Sequence, residues 1–477
     1  MTKPLHELTA KEAAGLLRAG ELSVLELWEA CRAQALIRNE ELNAYLEVFE
    51  ADAKAIAAAQ DRITREGSQA PLLCGIPVAL KDNMLIQGKH ASSGSKMLEN
   101  YVATYDATVT KRLKDAGALF LGRTNMDEFA MGSSTEHSAF GAVKNPIDTT
   151  RVPGGSSGGS AASVAGYTVP LSLGSDTGGS IRQPAAHCGL VGLKPTYGAV
   201  SRHGLMALAS SLDQIGPFAR TVEDAKILFD TIRGIDAHDA TTTPLGLYPE
   251  RKSGGKLRIG VPYHLLAEGI EKDVRANFDE TLSKLGALGH EIVDVSLPTS
   301  SYALPTYYVI QPAEASTNLA RYDGMRYGYA ARGKTLLDDY LLSKTEGFGP
   351  ETKRRILLGT FVLSSGYIDA YYRKAEKTRM ALRKEYDTAF AAADIIAFPT
   401  TPSPAFRFGE KSDPVSMYLE DIFTVTANLT GMPALSVPMG TVMRDSVALP
   451  TGIHFTAPHG ADDLLLTAGG LVTGETI

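Results

Sequence analysis

Two runs of glycine and serine lie close together in the middle of the chain. The first reads RVPGGSSGGSAAS over residues 151–163, and the second begins at residue 173 and reads LGSDTGGSIRQPA. A serine hydroxyl becomes a nucleophile when a nearby base takes its proton. Glycine lets backbone N–H groups approach an oxyanion, where such donors stabilise acyl transfer. The two runs therefore favour a serine-nucleophile site.

Two other interpretations of these runs stay open on the residues alone. A flexible linker would be flanked by polar sequence, whereas the first run continues directly into small apolar residues. A phosphate-binding loop would end in GK[ST] or would read GxGxxG between a strand and a helix, and neither pattern is present.

A serine nucleophile needs a base, and the histidines do not offer an obvious one. No GxSxG elbow is present, and His137 and His187 are interpreted as ordinary polar or packed side chains. Lys81 follows the apolar segment IPVAL, and strand ends are where sites collect in α/β sheets. A lysine can act as a base when desolvation lowers its pKa. Lys81 is therefore the candidate base, although a surface lysine at a strand end is the ordinary interpretation.

The elements around these residues alternate between helix and strand. The first seventy residues are predicted to be helical, with caps at Thr9 and Ser23. Residues 75–83 read as a short apolar strand, and residues 109–125 read as helix, turn and strand, a pattern that recurs at 283–295. This alternation predicts an α/β protein with a largely parallel core sheet.

Four further elements are expected later in the chain. Ser157 and Ser160 are expected to cap the small-residue helix that follows the first run. Strands at 258–262 and 395–399 are expected to join the same sheet, and residues 235–256 read as a long surface loop.

Composition narrows the class of protein. The 477 residues carry a net charge of −7, which suits a nucleic-acid-binding surface poorly, because such surfaces neutralise phosphates with Lys and Arg. Three cysteines cannot build a disulfide framework, and no metal-binding spacing is visible. The N-terminus has no apolar core of a signal peptide, and no window is apolar enough for a membrane helix. We therefore expect a cytoplasmic protein without a metal.

Four segments together resemble the amidase signature family: GIPVALKDN, TNMDEFAMGSS, GGSSGGSAA and GSDTGGSIRQPAAHCGLVGLKPTYG. The resemblance implies a central mixed, largely parallel β-sheet surrounded by helices. It also implies that residues 71–477 form the amidase-signature domain, with the helical segment 1–70 packed on it in one compact unit.

The resemblance also implies a Ser–Ser–Lys triad. By position, Ser180 is the nucleophile, Ser156 is the bridging serine and Lys81 is the base. A cis peptide bond is expected between Gly155 and Ser156. The backbone N–H groups that could form the oxyanion hole are those of Thr177, Gly178, Gly179 and Ile181.

Residues 201–225, 313–328 and 346–372 resemble one branch of that family, the A subunits of glutamyl-tRNA(Gln)/aspartyl-tRNA(Asn) amidotransferases. Membership would imply hydrolysis of L-glutamine and transfer of the ammonia to a B subunit. In such a heterotrimer, completed by a small C subunit, the B subunit contacts the tRNA and uses ATP and Mg²⁺ to amidate misacylated Glu-tRNA(Gln), Asp-tRNA(Asn) or both. No cofactor or metal is expected in this chain.

A glutamine pocket needs a cation for the α-carboxylate and an anion for the α-ammonium group, and arginine suits the carboxylate because its fork binds in bidentate fashion. The resemblance assigns these roles to Arg355 and Asp421, with Tyr307 and Met131 as further contacts. Tyr308 and Arg354 are adjacent, so a one-residue shift stays open for the tyrosine and for the arginine.

Two residues depart from the family pattern. His137 stands where Asn is usual, and His454 stands at a position usually occupied by Gln. Two other functions also remain open: a stand-alone amidase for small aliphatic or aryl amides, and a catalytically idle scaffold in a larger assembly. The charged pair Arg355 and Asp421 argues against the first, and the complete triad argues against the second.

Overall fold

Eleven strands form one sheet in the computed structural model, which describes residues 3–244, 247–248 and 255–477. The strands are β1 (Tyr45–Val48), β2 (Pro77–Lys81), β3 (Leu119–Thr124), β4 (Leu171–Asp176), β5 (Val191–Lys194), β6 (Gln214–Ala219), β7 (Arg258–Val261), β8 (Glu291–Asp294), β9 (Ile395–Pro399), β10 (Ala434–Arg444) and β11 (Val447–Thr456). Their order across the sheet is β1-β3-β2-β4-β6-β5-β10-β11-β9-β7-β8. The expected strands at 258–262 and 395–399 are therefore both in this sheet.

The mixed α/β sheet is confirmed, but the expectation of a largely parallel sheet is wrong for its centre. Parallel pairing joins β2 to β3 and β4, and joins β7 to β8 and β9. The other six pairs among the described strands are antiparallel. One of these six is the long hairpin of β10 and β11, because a two-residue turn can only join antiparallel neighbours.

Helices cover the sheet. They are α1 (Ala10–Ala19), α2 (Val24–Leu42), α3 (Ala53–Glu66), α4 (Thr108–Asp115), α5 (Gly158–Ala165), α6 (Arg182–Cys188), α7 (Val222–Ile232), α8 (Lys272–Ala287), α9 (Ala303–Asn318), α10 (Leu336–Gly347), α11 (Pro350–Leu363), α12 (Tyr372–Ala392), α13 (Pro414–Tyr418), α14 (Val425–Thr430) and α15 (Asp462–Thr473). α11 ends at the segment LSSGY, and α12 begins after it.

The N-terminal segment is only partly as expected. Thr9 and Ser23 each form a capping box at the start of α1 and α2. The segment is not wholly helical, however, because β1 adds an antiparallel edge strand beside β3. The surface loop expected over 235–256 lies partly outside the described residues.

The parallel strands position the residues of interest. β2 and β4 run side by side in the same direction, so their carboxyl ends meet at one edge of the sheet. Lys81 is the last residue of β2, and Ser175 and Asp176 end β4. The two glycine–serine runs flank β4: the first leads into α5, and the second connects β4 to α6.

Candidate active site

Lys81 lies fully buried at the centre of a group of serine hydroxyls. Its Nζ is 2.8 Å from Ser156 Oγ, 2.8 Å from Ser157 Oγ and 3.0 Å from Ser175 Oγ. Asn83 Nδ2 donates to Ser175 Oγ over 2.9 Å. The structure therefore brings Lys81 and Ser156 together, and it adds two serines that the sequence did not assign to this role.

Burial sets the charge of this lysine. Desolvation lowers the pKa of Lys81 to about 7, and the carboxylates of Asp127, Asp176 and Asp213 oppose that shift. Within the described residues, no carboxylate pairs directly with Nζ. A lysine with a pKa near the working pH exchanges protons readily, which is what a general base requires.

The first glycine–serine run shapes this neighbourhood. The peptide bond between Gly155 and Ser156 is cis, as expected. A side chain at Gly155 would run into the carboxylate of Asp127 and the backbone of Ser134, so glycine is required there by space. The expected capping role of Ser157 is wrong: its hydroxyl donates to Ser175 O over 3.0 Å instead.

Ser160 is also not a cap. Its hydroxyl, which lies within α5, donates to Leu173 O over 3.0 Å and is 2.7 Å from Thr124 Oγ1. This serine therefore ties the small-residue helix to β4 and β3, because a buried hydroxyl must find a hydrogen-bond partner.

Ser180 lies on the turn between β4 and α6. It is 7% exposed, more than Lys81 or Ser156. In the part of the chain that the structure describes, its hydroxyl has no hydrogen-bond partner. Of the two serines in the expected triad, Ser180 is therefore the one that a substrate could reach.

Asp176 holds this turn from inside. Its carboxylate accepts the backbone N–H of Gly179 over 2.9 Å and that of Ile181 over 3.1 Å. These two groups are therefore not free to bind an oxyanion as the structure stands, which corrects the expectation for Gly179 and Ile181. The N–H groups of Thr177 and Gly178 carry no such bond among the described residues and stay available.

A buried arginine neutralises Asp176. Arg182 donates two hydrogen bonds to its carboxylate, over 3.0 and 3.1 Å, and Asn428 Nδ2 donates a third over 2.8 Å. Burial alone would raise the pKa of Asp176, but Arg182 holds it at about 2. The carboxylate is therefore ionised across the working pH range and orders the turn over residues 177–181, which carries the candidate nucleophile Ser180 and is called the nucleophile turn below.

Tyr307 and Asp421 both contact the nucleophile turn. The Tyr307 hydroxyl lies 3.5 Å from Thr177 Oγ1, and a Cβ built on Gly178 would be 2.7 Å from the tyrosine ring. A Cβ on Gly179 would be 3.2 Å from Asp421 Oδ1. Both predicted substrate contacts are therefore close to the candidate nucleophile.

Asp421 is a buried carboxyl with few neighbouring groups that stabilise its negative charge. Burial raises its pKa to about 7, against the lowering effect of Ser133 and Arg355. The Ser133 hydroxyl donates to Asp421 Oδ2 over 2.7 Å. Met131, two residues earlier, is fully buried in the same apolar cluster as Tyr307.

Arg355 is buried, and one side of its guanidinium group is occupied by hydrogen bonds within the protein. Its Nε donates to Glu351 Oε1 over 2.8 Å, and its Nη1 donates to Gln311 Oε1 over 2.9 Å. Its guanidinium lies over the rings of Tyr308 and Tyr418 at 5.3 and 5.4 Å.

The structure separates the two adjacent arginines. The Arg354 side chain is half exposed and pairs with the buried Glu351, whereas the Arg355 side chain is itself buried. The two tyrosines both stay close to the site, with Tyr307 against the nucleophile turn and Tyr308 against Arg355.

Comparison with known proteins decides the family. Residues 26–466 match the sequence profile of the amidase family. The chain belongs to the amidase family. It is 52% identical over 444 residues to the A subunit of the glutamyl-tRNA(Gln) amidotransferase of Carboxydothermus hydrogenoformans, and the match covers 91% of each chain.

Solved structures of amidase-family members agree with the fold. The crystal structure of the A subunit of the Thermotoga maritima glutamyl-tRNA(Gln) amidotransferase is 40% identical, with a TM-score of 0.79 over 99% of this chain and 95% of that one. The peptide amidase of Stenotrophomonas maltophilia is 28% identical, with a TM-score of 0.81 over 99% of this chain and 97% of that one.

The two departures from the amidase pattern lie in different places. His137 is exposed, and its backbone N–H donates to Asp127. His454 is buried, and its Nε2 is 2.9 Å from Arg182 Nη1. Because arginine can only donate, His454 accepts this bond and carries its own proton on Nδ1. His454 therefore reaches the nucleophile turn through Arg182 and Asp176.

Neither a metal centre nor a membrane segment emerges from the described residues. No group of three or more His, Cys, Asp or Glu side chains there could hold a metal ion. No helix among them is long and apolar enough to cross a membrane.

Proposed function

We propose that this chain is the amidase subunit of a tRNA-dependent amidotransferase and that it hydrolyses glutamine to glutamate and ammonia. The observation that carries this proposal is the buried Lys81 amine 2.8 Å from Ser156 Oγ, beside a turn that presents Ser180. The identity of about one half to curated A subunits over nearly the whole chain supports the choice of glutamine.

The hydrogen bonds of Lys81 support a role as base toward Ser156. A neutral amine has two N–H donors and one lone pair. The Ser157 hydroxyl already donates to Ser175 O, so Ser157 Oγ accepts one N–H of Lys81. Ser175 accepts the other N–H, which leaves the lone pair for the Ser156 proton.

The reaction then proceeds as two acyl transfers, the first to Ser180 and the second to water. As Ser180 Oγ attacks the amide carbon, its proton passes to Ser156 and the Ser156 proton passes to Lys81. The carbonyl π electrons move to oxygen, where the N–H groups of Thr177 and Gly178 can donate. Collapse breaks the C–N bond, the proton returns to nitrogen, and ammonia leaves. Water then attacks the acyl ester while its proton passes through Ser156 to Lys81; collapse breaks the bond to Ser180 Oγ, which takes that proton back through Ser156, and glutamate leaves.

Substrate selection rests on charge. The free side of the Arg355 guanidinium would bind the α-carboxylate, and Asp421 would bind the α-ammonium group. Tyr307 and Met131 would line the wall between these groups and Ser180. A neutral amide has no charged groups to pair with a buried cation and a buried carboxyl. Such a pocket would carry the desolvation cost of each buried charge without a gain in binding.

The ammonia would serve a partner in the cytoplasm. In this proposal a B subunit binds the misacylated Glu-tRNA(Gln), Asp-tRNA(Asn) or both and uses ATP and Mg²⁺ to activate the carboxylate, and a small C subunit completes the heterotrimer. No residue of this chain is assigned to ATP, to Mg²⁺ or to the tRNA.

A stand-alone amidase is the second candidate, favoured by the similarity of the whole fold to a peptide amidase. The test is ammonia release from glutamine and from neutral aliphatic and aryl amides, by the purified chain with and without its B and C subunits. Glutamine activity that rises with the partners and falls at least a thousandfold in Ser180→Ala supports the amidotransferase role. Partner-free turnover of neutral amides with little on glutamine supports the second candidate.

A further inference from the structure

Five large apolar side chains are exposed together on the outer side of α11 and on the loop after it. They are Leu357, Leu358, Phe361, Tyr367 and Tyr371, each between 37% and 70% exposed; we call them the α11 surface. Leu357 and Phe361 are four residues apart on the helix and therefore neighbours. The Phe361 ring is 4.4 Å from that of Tyr367 and 6.0 Å from that of Tyr371.

A contiguous exposed patch of this kind indicates an interaction site. Phenylalanine and tyrosine are enriched in the apolar centres of protein interfaces, and a polar rim surrounds such centres. Positive charges outnumber negative charges around the α11 surface. Apart from the buried Arg355, residues 353–377 contain five Lys or Arg and two Asp or Glu, whereas the whole chain carries a net charge of −7. The apolar centre and basic rim fit a protein partner whose apolar contact is flanked by acidic residues.

The inner side of the same helix carries the candidate carboxylate ligand, Arg355. Along α11, a side chain at Gly359 would overlap the backbone carbonyl of Pro312, so α11 packs against α9 with no space between the backbones. Because α9 also carries Tyr307 and Gln311, the outer surface and the substrate pocket are two sides of one pair of tightly packed helices.

The beginning of α11 is tied to the nucleophile region. The buried carboxylate of Glu128 accepts the backbone N–H of Gly349 over 2.8 Å and the hydroxyl of Thr352 over 2.6 Å. Glu128 follows Asp127, which faces Gly155 in the first glycine–serine run. A movement of α11 would therefore be transmitted to the site through Glu128 and the adjacent Asp127.

We propose that the α11 surface docks the protein partner that receives the ammonia, and that docking holds Arg355 in its substrate-binding position. This inference rests on the proposed function. It assigns the partner by its chemistry: an apolar segment with acidic flanks.

The test compares Leu357→Asp and Phe361→Asp with a matched control, Leu288→Asp. Leu288 is 62% exposed at the end of α8, between Phe361 at 44% and Leu357 at 70%, so the control adds the same charge to a comparably exposed side chain elsewhere. Each chain is titrated into its purified B and C subunits, and the Kd and the KM for glutamine are measured. We expect Kd to rise at least a hundredfold in both α11 variants and to stay within threefold in the control. In the isolated chains, glutamine turnover should match the wild type.

A second variant tests the charge of the partner. Lys374→Glu combined with Lys377→Glu should weaken assembly at least tenfold at low salt, and the difference should shrink at high salt because screening weakens surface charge pairs.

Four outcomes overturn the inference. Wild-type Kd values in both α11 variants would place the interface elsewhere, and an equal loss in Leu288→Asp would mean that the effect is not local. Normal assembly with lost tRNA binding would make this a nucleic-acid surface. Self-association of the isolated wild-type chain that Phe361→Asp abolishes would make it a contact between two copies. A wild-type complex that assembles but releases no ammonia from glutamine refutes the proposed function instead and leaves the docking surface in place.

Discussion

Acidifying the assay below pH 7 should slow glutamine hydrolysis by protonating two different buried groups. Burial lowers the pKa of Lys81 to about 7 and raises the pKa of Asp421 to about 7. Lys81 works as a base in its neutral form, and that form is lost as the pH falls through 7. Asp421 binds an ammonium group in its ionised form, and that form is lost over the same range.

The size of the fall in kcat/KM depends on how many groups must be deprotonated for the substrate in question. Below its pKa, the working fraction of a single group falls about tenfold for each pH unit. For glutamine both groups matter, so kcat/KM should fall about a hundredfold per unit on the acid side. A neutral amide does not need Asp421, so its kcat/KM should fall only about tenfold per unit.

The assay measures kcat/KM between pH 5.5 and 8.5 for glutamine and for one neutral aliphatic amide, with the complete complex. The matched variant is Asp421→Asn, which keeps the shape of the side chain and removes its titration. In that variant glutamine should bind more weakly, and its acid limb should fall with the slope of the neutral amide. A profile that stays flat down to pH 5.5 would refute a neutral Lys81 as base. Equal slopes for the two substrates in the wild type would refute the role of Asp421.

Four further predictions concern the residues around the triad. Asp176→Asn should lower the free energy of unfolding by about 3–5 kcal/mol, because it leaves the buried Arg182 unpaired; urea denaturation measures this, and a loss below about 1 kcal/mol would contradict it. His454→Leu should cost about 1–3 kcal/mol by removing one of the acceptors of Arg182, whereas His454→Gln should restore most of that stability, and equal losses in both would show that the bond to Arg182 does not matter. Glu128→Gln should raise the KM for glutamine roughly tenfold with a smaller change in kcat, since it loosens the start of α11 by about one charged hydrogen bond; a change in kcat alone would be the opposite result. Ser157→Ala should lower kcat while leaving the KM within about twofold, because it removes an acceptor of the Lys81 amine, and unaltered kcat would mean that Ser157 only supports the fold.

The sequence predicted the elements whose pattern is local. The apolar segment before Lys81 predicts β2, and the desolvation invoked for this lysine agrees with its complete burial. The capping boxes at Thr9 and Ser23 were also predictable, because each involves residues three apart.

What the sequence missed depends on pairing between distant segments. Ser175 reaches Lys81 only because β4 lies parallel to β2, and no local pattern specifies that pairing. The β10–β11 hairpin turns at Asp445 and Ser446, both with positive φ, and this pair lacks the Asn-Gly or Asp-Gly signal of such turns. β1 was missed because it is short and lies between strongly helical segments.

The nucleophile turn shows a further limit. A run of glycines indicates free N–H groups, but it does not show that Asp176 uses two of them. The sequence did contain a signal for this role of Asp176, because an Asp just before a turn commonly accepts the backbone N–H groups of that turn. The predicted division of the chain at residue 70 stays a prediction.

The most direct test of the central claim is the position of the covalent bond to substrate. The complex would be treated with a serine-reactive phosphonate that carries a glutamine-like side chain, and the modified residue would be mapped by peptide mass spectrometry. We expect one adduct on Ser180, protected by glutamine and at least a hundredfold slower to form in Lys81→Met. An adduct on Ser156 or Ser157, or labelling of Ser180 that does not depend on Lys81, would contradict the proposed roles.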